Sequence, residues 1–178
     1  MPLTRSAAGQ LVKRTRRSSA SLSPNQPISL RPSDLIDYEM SNDGADFARL
    51  RAASAAAGIV LVASYHNFQS TPDAAALLDR FAQAERLGAD VAKVAVMPQS
   101  PEDVLTLLGA THRASQTLGL PLISMSMGAL GSLSRMMGWV YGSTVTFAVG
   151  KSSSAPGQLP IDGLRSVLAS MRRAVHGG

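Results

Sequence analysis

A lysine inside an apolar, strand-like run is the most unusual chemical feature of this 178-residue sequence: Lys93 sits within VAKVAV, residues 91–96. Burial there disfavours the ammonium and favours the neutral amine, the form that attacks a carbonyl carbon. A second reading stays open, in which Lys93 lies near a strand start and its stem runs out to water. His66 closes an earlier apolar run, IVLVASYH (59–66), where an imidazole could take and return a proton or simply hold a structural hydrogen bond. Asp37 and Glu39 end a third run, DLIDYEM (34–40). Spaced two apart, they share one side of an extended segment, as candidate site residues or as caps of neighbouring loops. Ser154 and Gln158 fall in the polar loop SAPGQ, and Met125 and Met127 read first as packing residues.

The elements that must position these groups follow a regular alternation. Apolar runs at 34–40, 59–66, 90–98, 121–127 and 143–150 are short and β-branched, and helical patterns separate them. Phe47, Leu50, Ala53 and Ala57 recur at helical spacing before Gly58. Thr71-Pro72-Asp73 predicts an N-cap, a Pro at the first helical position and an acid in the first turn; Ser100-Pro101-Glu102-Asp103 predicts a second capped start. A short helix is expected over 130–139 and a last one over 161–175. Strands apolar on both faces and alternating with helices indicate a parallel α/β architecture, whose active site lies at the C-terminal strand ends. No G-x-G-x-x-G or Walker-type spacing follows any strand, which argues against a nucleotide site.

Composition narrows the function classes. There is no cysteine, which excludes a disulfide framework, thiol catalysis and Cys-ligated zinc or iron–sulfur sites, and fits a reducing cytoplasm. His66, His112 and His176 are scattered, against a His-rich metal site. No apolar run approaches the ~18 residues that cross a bilayer, so no membrane role is expected. The net charge of +5 is unevenly placed: residues 1–33 carry six basic side chains and no acid, while 34–178 are near neutral. That division gives two regions, a basic, Ser/Pro-rich head (1–33) and a catalytic region (34–178). The head shows neither helical nor strand period over 10–33. It reads as disorder, a remnant of an earlier βα unit, a transit-type leader or the start of a truncated reading frame. Its basic cluster lacks interleaved aromatics, so no nucleic-acid partner is expected.

SYHNF (64–68), GADVAKVAVMPQSPEDVLTLL (88–108), PLISMSMGALGSLSRMMGWVYGSTVTF (121–147) and SAPGQ (154–158) together resemble type I 3-dehydroquinate dehydratase over about residues 34–172. The resemblance implies a (β/α)8 barrel, incomplete here at about six of eight strands, with two N-terminal βα units missing. It implies dehydration of 3-dehydroquinate to 3-dehydroshikimate in the shikimate pathway, without metal or other cofactor. Lys93 matches the Schiff-base lysine and His66 the general acid/base. Arg135 matches the arginine that grips the substrate carboxylate, and Ser154 and Gln158 match residues on the substrate's hydroxyls and carboxylate region. Met125, Met127 and Phe147 match pocket walls, Asp37 and Glu39 the acids behind and beside the histidine. Arg5, in LTRS (3–6), falls at the spacing of a further substrate-binding arginine. The expected partner is the small-molecule substrate, and a homodimer is an option for assembly. Two other readings compete: a Schiff-base aldolase, which leaves Arg135 with SAPGQ unexplained, and a truncated relative that binds ligand or a partner chain without turnover.

Overall fold

The computed structural model describes residues 16–18, 35–42, 44–149 and 158–176. Five parallel strands run in sequential order: β1 (Arg16–Ser18), β2 (Leu35–Glu39), β3 (Val60–Asn67), β4 (Val91–Val96) and β5 (Leu122–Ser126). Between and after them lie the helices α1 (Gly44–Ala56), α2 (Ala74–Arg86), α3 (Pro101–Thr117), α4 (Ser132–Met137) and α5 (Ile161–His176). No helix among the described residues is long and apolar enough to cross a membrane.

The alternation of strand side chains builds two layers. Ile36, Tyr38, Leu61, Ala63, Ala92, Val94 and Leu122 turn one way and meet Phe47 of α1, Leu77, Phe81 and Ala84 of α2, and Leu107, Ala110 and Ala114 of α3. This is the main core. Ala95, Ile123 and Met125 turn the other way and pack with Val91, Val145 and Phe147. Both faces of the sheet are therefore covered, as its apolar strands require.

Three local features depart from the sequence reading. The helix expected to be capped by Thr71 starts instead from Asp73, whose Oδ1 accepts from the Ala76 N–H at 2.8 Å. Thr71 is engaged elsewhere, its hydroxyl donating to the Met97 carbonyl at 3.2 Å, so Pro72 precedes the cap rather than following it. At α3 the expected capped start forms: Asp103 Oδ2 accepts from the N–H groups of Gln99 (2.7 Å) and Ser100 (3.4 Å). The run 143–150, read as a strand, forms over its described residues 143–149 only isolated bridges in place of a ladder, Ser143 to Leu122 and Val149 to Pro160. Hydroxyls take over part of the ladder there. Ser143 Oγ accepts from the Ser124 N–H at 3.0 Å, and Thr144 gives both its N–H (2.7 Å) and its hydroxyl (2.9 Å) to the Leu122 carbonyl. Finally, the head contributes β1, which pairs with β2 in the register Arg16–Ile36, Arg17–Asp37 and Ser18–Tyr38. Main-chain pairing on an edge strand does not require the side-chain period that the head lacks.

Candidate active site

The inner face of the sheet carries the chemistry. Register sets it level: Glu39 pairs with Ser64, and Ser64 with Lys93, so these three lie in a row across β2, β3 and β4. Two steps along each strand come Asp37 and His66, on the same face by alternation. Lys93 is 5% exposed, so its stem does not run out to water; its Nζ donates to Asp37 Oδ2 at 2.5 Å, and Asp37 is equally buried. A buried ammonium costs several kcal/mol unless paired, and here the carboxylate pairs it. The Phe147 ring lies below the same ammonium, its centroid 5.7 Å from Nζ. His66 Nδ1 meets Glu39 Oε2 at 2.5 Å, which fixes the ring and leaves Nε2 as its other polar atom. A single strand, β2, thus supplies one carboxylate to the amine and one to the imidazole.

Arg135 enters from the far side on α4. It is 2% exposed; Nη1 points at the Met125 sulfur (3.7 Å) and the Phe147 carbonyl (3.5 Å), and its own carbonyl accepts from the Thr146 hydroxyl at 3.0 Å. Desolvation by burial pulls the guanidinium below its ordinary pKa. Such a cation gains most from an anion, and its planar fork suits a carboxylate. Phe147 joins the two halves of the site, its ring beneath Lys93 and its carbonyl on Arg135.

The placement of α4 depends on Gly131. A Cβ there would lie 2.1 Å from the Ser126 carbonyl oxygen, so the loop can pass over the end of β5 only without a side chain. Ser134 Oγ completes the joint, accepting from the Ser126 N–H at 2.9 Å and donating to the Gly131 carbonyl at 2.7 Å. Gly131→Ala is expected to destabilise the chain by about 1–3 kcal/mol, the usual range for overpacking, and to displace Arg135. A urea midpoint equal to the parent's would contradict this.

The structure brings Lys93, His66, Asp37, Glu39, Arg135, Met125 and Phe147 to one face. Met127 is buried at the end of β5, its N–H bonded to the Val96 carbonyl at 2.7 Å. Gln158 is half-buried, two residues before the Pro160 bridge. Arg5 and Ser154 lie outside the described residues. Sequence reasoning missed two neighbours of His66. Ser64 shares its inward direction. Phe68, 61% exposed, stacks on the imidazole with ring centroids 5.7 Å apart and planes 7° from parallel. Both sit two residues from the histidine, a signal that alternation already contains. Among the described residues, no three His, Asp or Glu side chains are grouped so as to hold a metal ion.

Comparisons with known proteins bear on this arrangement. A family model described as type I 3-dehydroquinase matches residues 7–174, extending the resemblance into the basic head. The 3-dehydroquinate dehydratase of Albidiferax ferrireducens is 59% identical over 145 residues, covering 82% of this chain and 55% of that protein. The one from Aromatoleum aromaticum is 45% identical over 188 residues, covering 98% and 72%. Among solved structures, the 3-dehydroquinate dehydratase of Geobacillus kaustophilus HTA426 superposes with a TM-score of 0.76 at 53% identity, over 78% of this chain and 54% of that one. The type I enzyme of Clostridium difficile, solved with covalently modified comenic acid, gives 0.75 at 36% identity, over 79% and 56%. The chain spans about half the length of the Albidiferax relative and of both structures. These neighbours are (β/α)8 barrels, and this chain has that α/β fold, with a sheet that does not close into a ring among the described residues.

Proposed function

Because the chain belongs to the type I 3-dehydroquinase family, we propose that it dehydrates 3-dehydroquinate to 3-dehydroshikimate, as a hydro-lyase of the shikimate pathway, through a Schiff base on Lys93. The observation that carries the reading is the buried Lys93–Asp37 pair beside the Glu39–His66 pair on one face of the sheet. Asp37 Oδ2 is placed to take the proton that the ammonium must lose before attack. The amine adds to the ketone, and loss of water leaves an iminium, which withdraws electrons from the neighbouring C–H bond. His66, held by Glu39, removes that proton and then returns one to the departing β-hydroxyl. Hydrolysis of the product iminium frees Lys93.

Arg135 takes the substrate carboxylate in this reading, and Met125 and Phe147 wall the pocket, with Met127, Gln158, Ser154 and Arg5 contributing further contacts. The catalytic region runs from residue 34 in this reading, and residues 16–18 of the head add an edge strand to its sheet. The reading includes a cytoplasmic location, supported by the cysteine-free composition. It also includes a homodimer, supported by Leu130, Leu133 and Val140, which are exposed on and around α4.

The direct test is incubation with 3-dehydroquinate and borohydride followed by peptide mass mapping. A reduced adduct on Lys93 is expected; an adduct elsewhere, or none in folded chain that binds the compound, would remove the Schiff-base assignment. Arg135→Lys should raise KM far more than it lowers kcat, because a point charge replaces a planar fork. Equal KM values for the two proteins would count against Arg135 as the carboxylate site.

A further inference from the structure

Lys93 and Asp37 are not on neighbouring strands. β3 lies between them, and at about 4.8 Å per strand the two backbones stand roughly 10 Å apart. The lysine stem must therefore cross the inner face of β3 to bring Nζ within 2.5 Å of Oδ2. The residue level with Lys93 on β3 is Ser64, which is itself level with Glu39 on β2. It is 1% exposed and faces inward with Val62 and His66.

The Lys93–Asp37 pair crosses β3 between Ser64 and Val62, the inward residue level with Asp37, and the Glu39–His66 pair runs from the level of Ser64 to the residue two beyond it. From the row Glu39–Ser64–Lys93, Glu39 reaches forward to His66, two residues beyond Ser64, while Lys93 reaches back to Asp37, two residues before Glu39. A straight pairing along the row would join Lys93 to Glu39 and leave His66 without its carboxylate. The diagonal sorting requires room above the centre of the row, and Ser64 is the smallest inward side chain available there apart from alanine and glycine.

We propose that Ser64 is a positioning residue whose small size, rather than its hydroxyl, lets Lys93 cross β3 to Asp37 and keeps the two carboxylates assigned to different partners. It acts through Lys93 and touches no reacting atom in this proposal, which rests on the Schiff-base reading above. Ser64→Ala keeps the clearance. Ser64→Val fills it with a β-branched side chain and pushes the lysine stem off its diagonal.

The experiment compares the parent, Ser64→Ala, Ser64→Val, Asp37→Asn and the Ser64→Val/Asp37→Asn double variant by borohydride trapping with 3-dehydroquinate and by urea unfolding. Trapping on Lys93 should be within about twofold of the parent in Ser64→Ala and fall by about 10²-fold in Ser64→Val, the scale of a misplacement near 1 Å. In the Asp37→Asn background, Ser64→Val should cost little more in trapping or in unfolding midpoint, because the contact it breaks is already gone. A general overpacking effect would instead add in full to both. Equal trapping by Ser64→Val and parent, loss in Ser64→Ala, or an additive cycle would overturn the proposal. If the parent itself forms no adduct, the Schiff-base reading fails, and the unfolding cycle alone still decides whether Ser64 acts through the Lys93–Asp37 contact. Lys93 is one of three lysines, with Lys13 and Lys151, so the mapped adduct is unambiguous.

Discussion

Replacing Lys93 by alanine is expected to bring turnover of 3-dehydroquinate below a few per cent of the parent while leaving ligand binding measurable. The loss follows from chemistry rather than from binding. Without an iminium, the C–H bond next to the ketone has no electron sink, and no other lysine lies among the described residues. Binding persists because the Arg135 guanidinium and the walls formed by Met125 and Phe147 do not depend on the amine. The same change leaves Asp37 buried without the ammonium it faces, so some stability is expected to go as well: breaking a buried pair costs about 3–5 kcal/mol when the remaining charge stays ionised. Calorimetric titration with substrate, steady-state assay and urea unfolding separate the three effects. Retained turnover in Lys93→Ala would exclude the covalent mechanism.

His66→Ala is the second large effect, a fall in kcat of about 10²–10⁴-fold, the usual worth of a positioned acid/base. KM is expected to change little, since the imidazole acts on protons and not on the carboxylate. The more telling readout is the imine. With its deprotonation slowed and its formation on Lys93 intact, the covalent species should accumulate and be trapped by borohydride at a higher yield than in the parent. Unchanged kcat together with unchanged trapping would make His66 a structural partner of Glu39 and Phe68 only.

The architecture was legible because parallel strands buried on both faces have to be apolar and short, and β2 to β5 announce themselves in that way. Lys93 was legible for the complementary reason: a charge in such a run must be explained. What sequence could not show is the pairing. Asp37 and Glu39 were placed on one side of a strand, but which carboxylate meets which base depends on the register between β2, β3 and β4, a property of three segments together. Ser64 went unremarked because its contribution is an absence of bulk, visible only once the row Glu39–Ser64–Lys93 is drawn. The run at 143–150 misled because its alternation is real: Val145 and Phe147 do face inward. The hydroxyls of Ser143 and Thr144 take over part of the bonding that a strand would have made with its backbone. The cap lies at Asp73, two residues beyond the Thr71 to which the Thr-Pro-Asp pattern points, and the Thr71 hydroxyl instead donates to the Met97 carbonyl, a contact from a different loop.

The delivery of both carboxylates by β2 at positions two apart ties chemistry to correct assembly. If β2 docked one residue out of step, Asp37 and Glu39 would both turn to the helix-facing layer, among Leu61, Phe47 and Phe81, with no cation to meet them. Tyr38 and Ile36 would turn inward in their place, and Lys93 and His66 would lose their partners together. Two buried, unsatisfied acids make that mispaired state costly. The residues that run the reaction therefore also proofread the fold, and a chain assembled in the wrong step is penalised in stability by the same side chains whose absence from the site would silence it.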